Sequence, residues 1–203
     1  MNLKKLTSII ASLAFVGLLN TANAEDKKPE MTPEMQEQMK KMKENGTPGA
    51  EHEVLKAFEG KWTVTSKSWM KPGDEAEVSQ GSSTFTWVLD GRFLRQDFSG
   101  DWAGQTFTGL GFIGYDKVKK EYTSIWMDNM MTGIMKSTGQ YDAATKTITD
   151  GGTFSCPMTG EKDMAFRAEW KIVSQDENTY SMFMKDKDGK EFKTMEITYK
   201  RAK

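Results

Sequence analysis

Cysteine, histidine and proline are scarce in this chain, with one, one and five copies in 203 residues, and each scarcity removes an explanation. A lone cysteine, Cys156, closes no intrachain disulfide, so a core alone has to hold the fold. The lone histidine, His52, lacks the company that hydrolysis needs. There is no G-x-S-x-G, and Cys156 stands before Pro157 without a catalytic signature. His52 is therefore expected to cap or pack at the entrance of the barrel that the later pattern predicts, and the count weakens a haem reading, since a histidine ligand on a strand is lacking and tyrosine or methionine ligation alone stays formally open. Basic charge is not in excess either, with 28 Lys and Arg against 29 Asp and Glu. A nucleic-acid partner, which needs a basic face, is not expected.

Long apolar runs are missing except at the N-terminus. There Lys4 and Lys5 precede the run Leu6 to Leu19, which is too short to span a bilayer comfortably, and Ala22-Asn23-Ala24 forms an A-x-A cleavage site. Residues 1–24 read as a signal peptide cut after Ala24, and no cysteine near the cut invites acylation. The expected product is a soluble periplasmic or secreted protein, without a membrane-spanning segment in the mature chain. Its length suits one domain with a substantial core.

Gly109-Leu110-Gly111-Phe112-Ile113-Gly114 spells G-x-G-x-x-G, the fingerprint of dinucleotide-binding domains. That motif works only where a strand turns directly into a helix whose N-terminus faces the pyrophosphate. Here a polar turn, Tyr115 to Lys120, leads into the β-formers Glu121 to Trp126. The glycines read instead as places where a sheet bends or another backbone comes close.

Residues 25–49 form a polar, Met-rich lead segment containing one predicted helix. Thr32 is its N-cap, Pro33 its first residue and Asn45-Gly46 its end, with Met35, Met39 and Met42 on one stripe. A second short helix is predicted from Ala50 to Phe58. From Gly60 the period changes to two. Met164, Phe166, Ala168, Trp170 and Ile172 share one face of a strand, opposite Arg167, Glu169 and Lys171. Turn signals recur at Pro72-Gly73, Asp90-Gly91, Tyr115 to Lys120, Asp142 to Lys146, Thr159-Gly160, Asp176 to Asn178 and Asp188-Gly189. The pattern predicts an all-β domain over residues 50–203, a single antiparallel up-and-down barrel of about ten strands, since closure removes exposed edges.

Gly60-Lys61-Trp62, after a short helix and opening the first strand, resembles the G-x-W element of the calycins, the lipocalin and fatty-acid-binding-protein group. The resemblance implies that Trp62 closes one barrel end against a late arginine, here Arg201, which shares strand parity with Met195, Ile197 and Tyr199. The segments "HEVLKAFEGKW", "LDGRFL", "GFIGYDKVKKEYTSIWMD", "GQYD" and "ITYKR" resemble a bacterial family, domain of unknown function 1579. That resemblance covers roughly residues 51 to 203 and implies a calycin-like barrel with no established chemistry.

Candidate sites are few. Asp186 to Lys190 looks like a calcium loop, but its glycine falls at the fourth position and two lysines offset the carboxylates, so it reads as a hairpin turn. Soft thioethers in a periplasm can hold Cu(I), and Met35/Met39/Met42 or Met127/Met130/Met131/Met135 with Cys156 and Met158 are conceivable sets. The second group mixes strand parities, and methionine also fills irregular cores. No metal and no cofactor are therefore expected. The remaining constellation is one expected to line the barrel: Arg95 and Asp97 on one strand, Trp126 and Asp128 on another, Tyr180 and Met182 on a third. It serves either as a pocket or as packing. With no catalytic set visible, an enzyme working through barrel carboxylates is the weaker expectation. A binding protein for a small apolar or aromatic molecule is the stronger one. An interaction module docking through the lead helix is a further alternative.

Overall fold

The computed structural model describes residues 31–203, so the expected signal peptide, residues 1–24, lies outside the described residues. Helix α1 (Pro33–Gly46) starts where the sequence signals place it, with the Met35 amide donating to Thr32 Oγ1 at 3.2 Å. It buries none of its residues, and Met35, Met39 and Met42 are all exposed. No helix among the described residues is long and apolar enough to cross a membrane.

A short helix α2 (Ala50–Leu55) runs into a 3-10 turn (Lys56–Phe58). Ten strands follow: β1 (Gly60–Ser68), β2 (Glu77–Val88), β3 (Phe93–Trp102), β4 (Gln105–Asp116), β5 (Glu121–Asp128), β6 (Met135–Asp142), β7 (Thr147–Phe154), β8 (Met164–Ile172), β9 (Glu177–Lys185) and β10 (Glu191–Arg201). Each pairs antiparallel with the next, and β1 pairs with β10 to close the barrel. This is the up-and-down architecture that the alternation predicts. Two of the nine connections escaped the turn signals, residues 129–134 between β5 and β6 and residues 103–104 between β3 and β4. Ala103 and Gly104, both at positive φ (51° and 76°), join Trp102 to its partner Gln105 in a two-residue turn. That geometry favours Asn or Asp at the position alanine holds, so the sequence carries no strong cue there.

One end of the barrel is plugged. Leu55 and Phe58 drop from α2 and the 3-10 turn into a cluster with Trp62, Phe85, Leu94, Tyr122, Ile148 and Tyr199. Burial of each large apolar side chain there contributes about 1.5–3 kcal/mol. Polar ties fix the plug. Tyr122 donates its hydroxyl to Glu51 O at 2.8 Å, Asn178 Nδ2 donates to Ala57 O at 3.1 Å, and Trp62 Nε1 donates to Phe58 O at 2.7 Å. Buried His52 accepts the Gly49 amide on Nδ1 at 3.2 Å and meets the Tyr115 ring edge-on, a capping and packing role, but at the plugged end of the barrel and not at the entrance expected. Burial, the largest influence, lowers its pKa below the ordinary 6.5.

The same end carries the Trp62 and Arg201 pair. They are register partners, and the guanidinium carbon lies 4.2 Å from the Trp62 ring centroid. Arg201 Nη1 donates to Glu59 O and Nε to Gln175 O, each at 2.9 Å, so one side chain ties the chain before β1 to the β8–β9 turn. Trp62 itself is 1% exposed.

Candidate functional site: a chamber open at the far end

Above the plug the barrel is hollow. A cavity of about 1340 Å³ runs from Phe58 and Phe85 at its floor to four of the five loops and the end of β3 at the other end, where Trp69, the Met130-Met131 pair, Met158, Lys187 and Trp102 line it. Ten strands give a wider interior than eight. Its wall is aromatic and thioether-rich: nine of the chain's fifteen methionines line it, as do Phe98, Phe107, Trp126, Phe154, Phe166 and Trp170. The outer face, by contrast, carries charged pairs such as Arg167 with Glu169 and Glu191, and Lys193 with Glu196. The hydrophobic face of this barrel is its inner one.

The structure brings Trp126, Asp128, Tyr180 and Met182 to the chamber wall. Trp126 lies across Gly111 and Gly109, its cross-strand partners' column on β4. A Cβ at Gly111 would sit 3.1 Å from the indole, and one at Gly109 would overlap it outright. Two glycines of the G-x-G-x-x-G stretch are thus the bed of an interior tryptophan, rather than the sharp bends anticipated. Phe107 stacks on the same indole at 6.5 Å and Phe98 meets it at 6.4 Å. Asp128 holds Trp126 in place: Oδ2 accepts Nε1–H at 2.9 Å, while Oδ1 accepts the Met130 and Met131 amides at 2.9 and 3.2 Å. With both oxygens occupied, its work is positional.

Arg95 and Asp97, expected inside, face outward. They form an ion pair with each other at 2.6 Å, with side chains 45% and 48% exposed. On β3 it is the other parity, Leu94, Gln96 and Phe98, that enters the barrel, because Leu94 belongs to the buried floor. The conceivable copper set is divided similarly. Met130, Met131, Met135, Cys156 and Met158 line the chamber, whereas Met127 has the outward parity of β5, between Trp126 and Asp128. Among the described residues no group of three or more His, Cys, Asp or Glu side chains is placed to hold a metal.

The most consequential residues of the site drew no attention in the sequence. A polar belt crosses the chamber just above the floor. Gln96 Nε2 donates to Ser83 Oγ at 3.1 Å and to Tyr199 Oη at 3.3 Å. Across the barrel, Ser124 and Ser137 share a hydrogen bond of 2.6 Å, and Ser137 Oγ donates to Asp150 Oδ2 at 2.9 Å. Asp150 is 6% exposed, lines the chamber, and its Oδ1 has no hydrogen-bond partner. Its register partners are Gly139 on β6 and Ala168 on β8, so neither flanking position supplies a side chain that could pair Oδ1. Burial lifts its pKa from the ordinary 3.8 to about 6, against the lowering effect of the serine hydrogen bonds. A signal was present in "TITDGGTF". Asp150 shares parity with the apolar Ile148 and precedes two glycines within a strand, where a turn aspartate has no place.

The model of the family described as "Protein of unknown function (DUF1579)" matches residues 47–201. The chain belongs to this family. Among curated proteins none matches the sequence. Among solved structures, Rv2717c from M. tuberculosis is similar at 15% identity with a TM-score of 0.58, the match covering 77% of this chain and all of that one. The S-type phycobiliprotein lyase CPES from Guillardia theta is similar at 14% identity with a TM-score of 0.51, over 79% of this chain and 97% of the lyase. Both likenesses concern the fold, a calycin-like barrel.

Proposed function

We propose that this family member is an exported binding protein that holds a small, largely apolar or aromatic molecule inside its barrel. The observation that carries the reading is the chamber: about 1340 Å³, plugged at one end, open at the other and walled by aromatic rings and thioethers. Apolar concavity with a few placed polar groups is what small-molecule sites are made of. Methionine adds a wall that adapts to the shape of its occupant. The reading of residues 1–24 as a signal peptide supports binding in the periplasm or outside the cell.

Native mass spectrometry of the protein purified from its own host tests this. A retained organic molecule, released on denaturation, is the expected result. A chain that arrives empty and whose tryptophan fluorescence ignores apolar aromatic probes would overturn it. A second reading, proton-transfer catalysis, is favoured by one observation, the buried carboxyl of Asp150 with a pKa raised to about 6. Turnover of the retained molecule, abolished in Asp150→Asn, is the result that reading requires.

A further inference from the structure

We infer that the molecule held in the chamber carries a protonated nitrogen, and that Asp150 is the group that receives it. The inference rests on the binding function proposed above and names the chemistry of its ligand. A carboxyl 6% exposed with one oxygen unpartnered is a costly object to keep in a fold. Nothing in the barrel architecture asks for it. Its two register neighbours are Gly139 and Ala168, and the opposite half of the belt, Ser83, Gln96 and Tyr199, satisfies itself without it.

Among the described residues that face Asp150 there is no cationic side chain. From β6 it meets Ser137 and Gly139, from β8 Ala168, and from β5 Ser124 stands one hydrogen bond further. From β9 comes Tyr180, whose phenol proton is held first by burial and then by the Asp150 charge itself, and beyond it on β10 is Tyr199. None of these is a base or a cation at neutral pH. The lysines that line the chamber, Lys71, Lys185 and Lys187, belong to the loops and strand end at the mouth. The soft χ2 torsion of aspartate lets either oxygen turn toward an occupant. Trp170 and Tyr180 line the same chamber, their rings tilted against each other with centroids 4.6 Å apart, and aromatic rings attract a cation. The fold has already stripped water from the carboxylate, so a ligand ammonium gains the charge-assisted bond and bears only its own desolvation.

The test uses three naphthalene probes of nearly equal size: 2-naphthylmethylamine, a cation; 2-ethylnaphthalene, its uncharged counterpart; and 2-naphthylacetate, an anion. Their binding to the mature chain and to Asp150→Asn is followed by tryptophan fluorescence and calorimetry. The expected result at pH 7.5 is that the native chain prefers the amine to the hydrocarbon by about tenfold to a hundredfold, as a hydrogen bond to a charged partner warrants. The anion should bind weakest. Asp150→Asn should lose the preference, holding amine and hydrocarbon with similar affinity. In the native chain the preference should fade as pH drops below 6 and the carboxyl takes up its proton, a readout that needs no variant. Equal binding of amine and hydrocarbon to the native chain, or a preference that persists in Asp150→Asn, overturns the inference and leaves the binding function standing. Failure of all three probes to bind removes both.

Discussion

Replacing Asp150 with asparagine isolates what the buried carboxyl does to stability. Its pKa rises from 3.8 to about 6, chiefly through burial, and that rise is worth about 3 kcal/mol of preference for the protonated folded form. The sign follows from linkage. A group whose folded pKa is raised contributes stability that is complete below its unfolded value, near 3.8, and is lost as pH climbs through about 6. At pH 7.5 the native chain therefore lacks about 3 kcal/mol that a neutral side chain of the same shape would keep. Asparagine can still accept from Ser137, but its amide donors lack a partner, at about 1–2 kcal/mol. The ligand-free variant should be about 1–2 kcal/mol more stable than the native chain at pH 7.5. By pH 4.5 that advantage should shrink by about 2 kcal/mol, as the native carboxyl becomes protonated. Urea unfolding at the two pH values measures both quantities. His52 acts in the opposite sense, because burial lowers its pKa and its contribution is lost as pH falls through 6.5 and below. It is common to both proteins and cancels in their difference. An Asp150→Asn protein less stable than the native one at pH 7.5, or an advantage indifferent to pH, would refute the reasoning.

Arg201→Ala should cost about 1–3 kcal/mol in urea unfolding, since it removes the guanidinium over Trp62 and leaves Glu59 O and Gln175 O without their donor. An unchanged midpoint would show that the barrel end closes without it. Arg95→Ala should shift stability by no more than about 0.5 kcal/mol and leave probe binding unaltered, because its pair with Asp97 is half exposed on the outer wall. Altered affinity would place that pair at the chamber after all. Gly109→Ala should displace the Trp126 ring, changing its emission and costing about 1–3 kcal/mol through overpacking. Native-like fluorescence and affinity would contradict the close fit. A chain beginning at Lys41 should melt cooperatively at the midpoint of the whole chain, because α1 buries none of its residues.

Period-two patterning and turn chemistry made the barrel legible, since every interior column repeats along a strand and most hairpins carry glycine or aspartate at the turn. Which parity faces inward is a different question. On β3 both alternations contain a phenylalanine, Phe93 in one and Phe98 in the other, with polar residues in each. The choice falls to Leu94, whose place in the floor is set by contacts with Phe58 and Phe85 from distant parts of the chain. Local sequence holds no trace of that packing, and so an outward ion pair, Arg95 with Asp97, passed for an interior one. Trp126 with Asp128 was easier, because β5 has a tryptophan on only one parity. The belt of Ser124, Ser137 and Asp150 was hidden for a further reason. Its members sit one per strand on β5, β6 and β7, and only the closed register brings them together.

The interior is packed at one end and hollow at the other although a single alternation runs through both. At the plugged end the inward positions hold Trp62, Phe85, Leu94, Tyr122, Ile148 and Tyr199, whose rings and branches fill the width of ten strands with help from Leu55 and Phe58. Further along the strands inward positions turn small where the chamber is lined by Ser66 on β1, Gly111 on β4, Ser124 on β5 and Ser137 on β6. Small side chains on these four strands cannot meet across a barrel of this size, so they leave the space open. Farther out large residues return, but they are phenylalanines, tryptophans and methionines that line the wall without closing it. A core selected only for stability would have filled the middle layer with leucine and valine. The plug supplies the stability that the hollow forgoes, and it frees the middle layer to carry an unpaired carboxyl that a packed core would exclude.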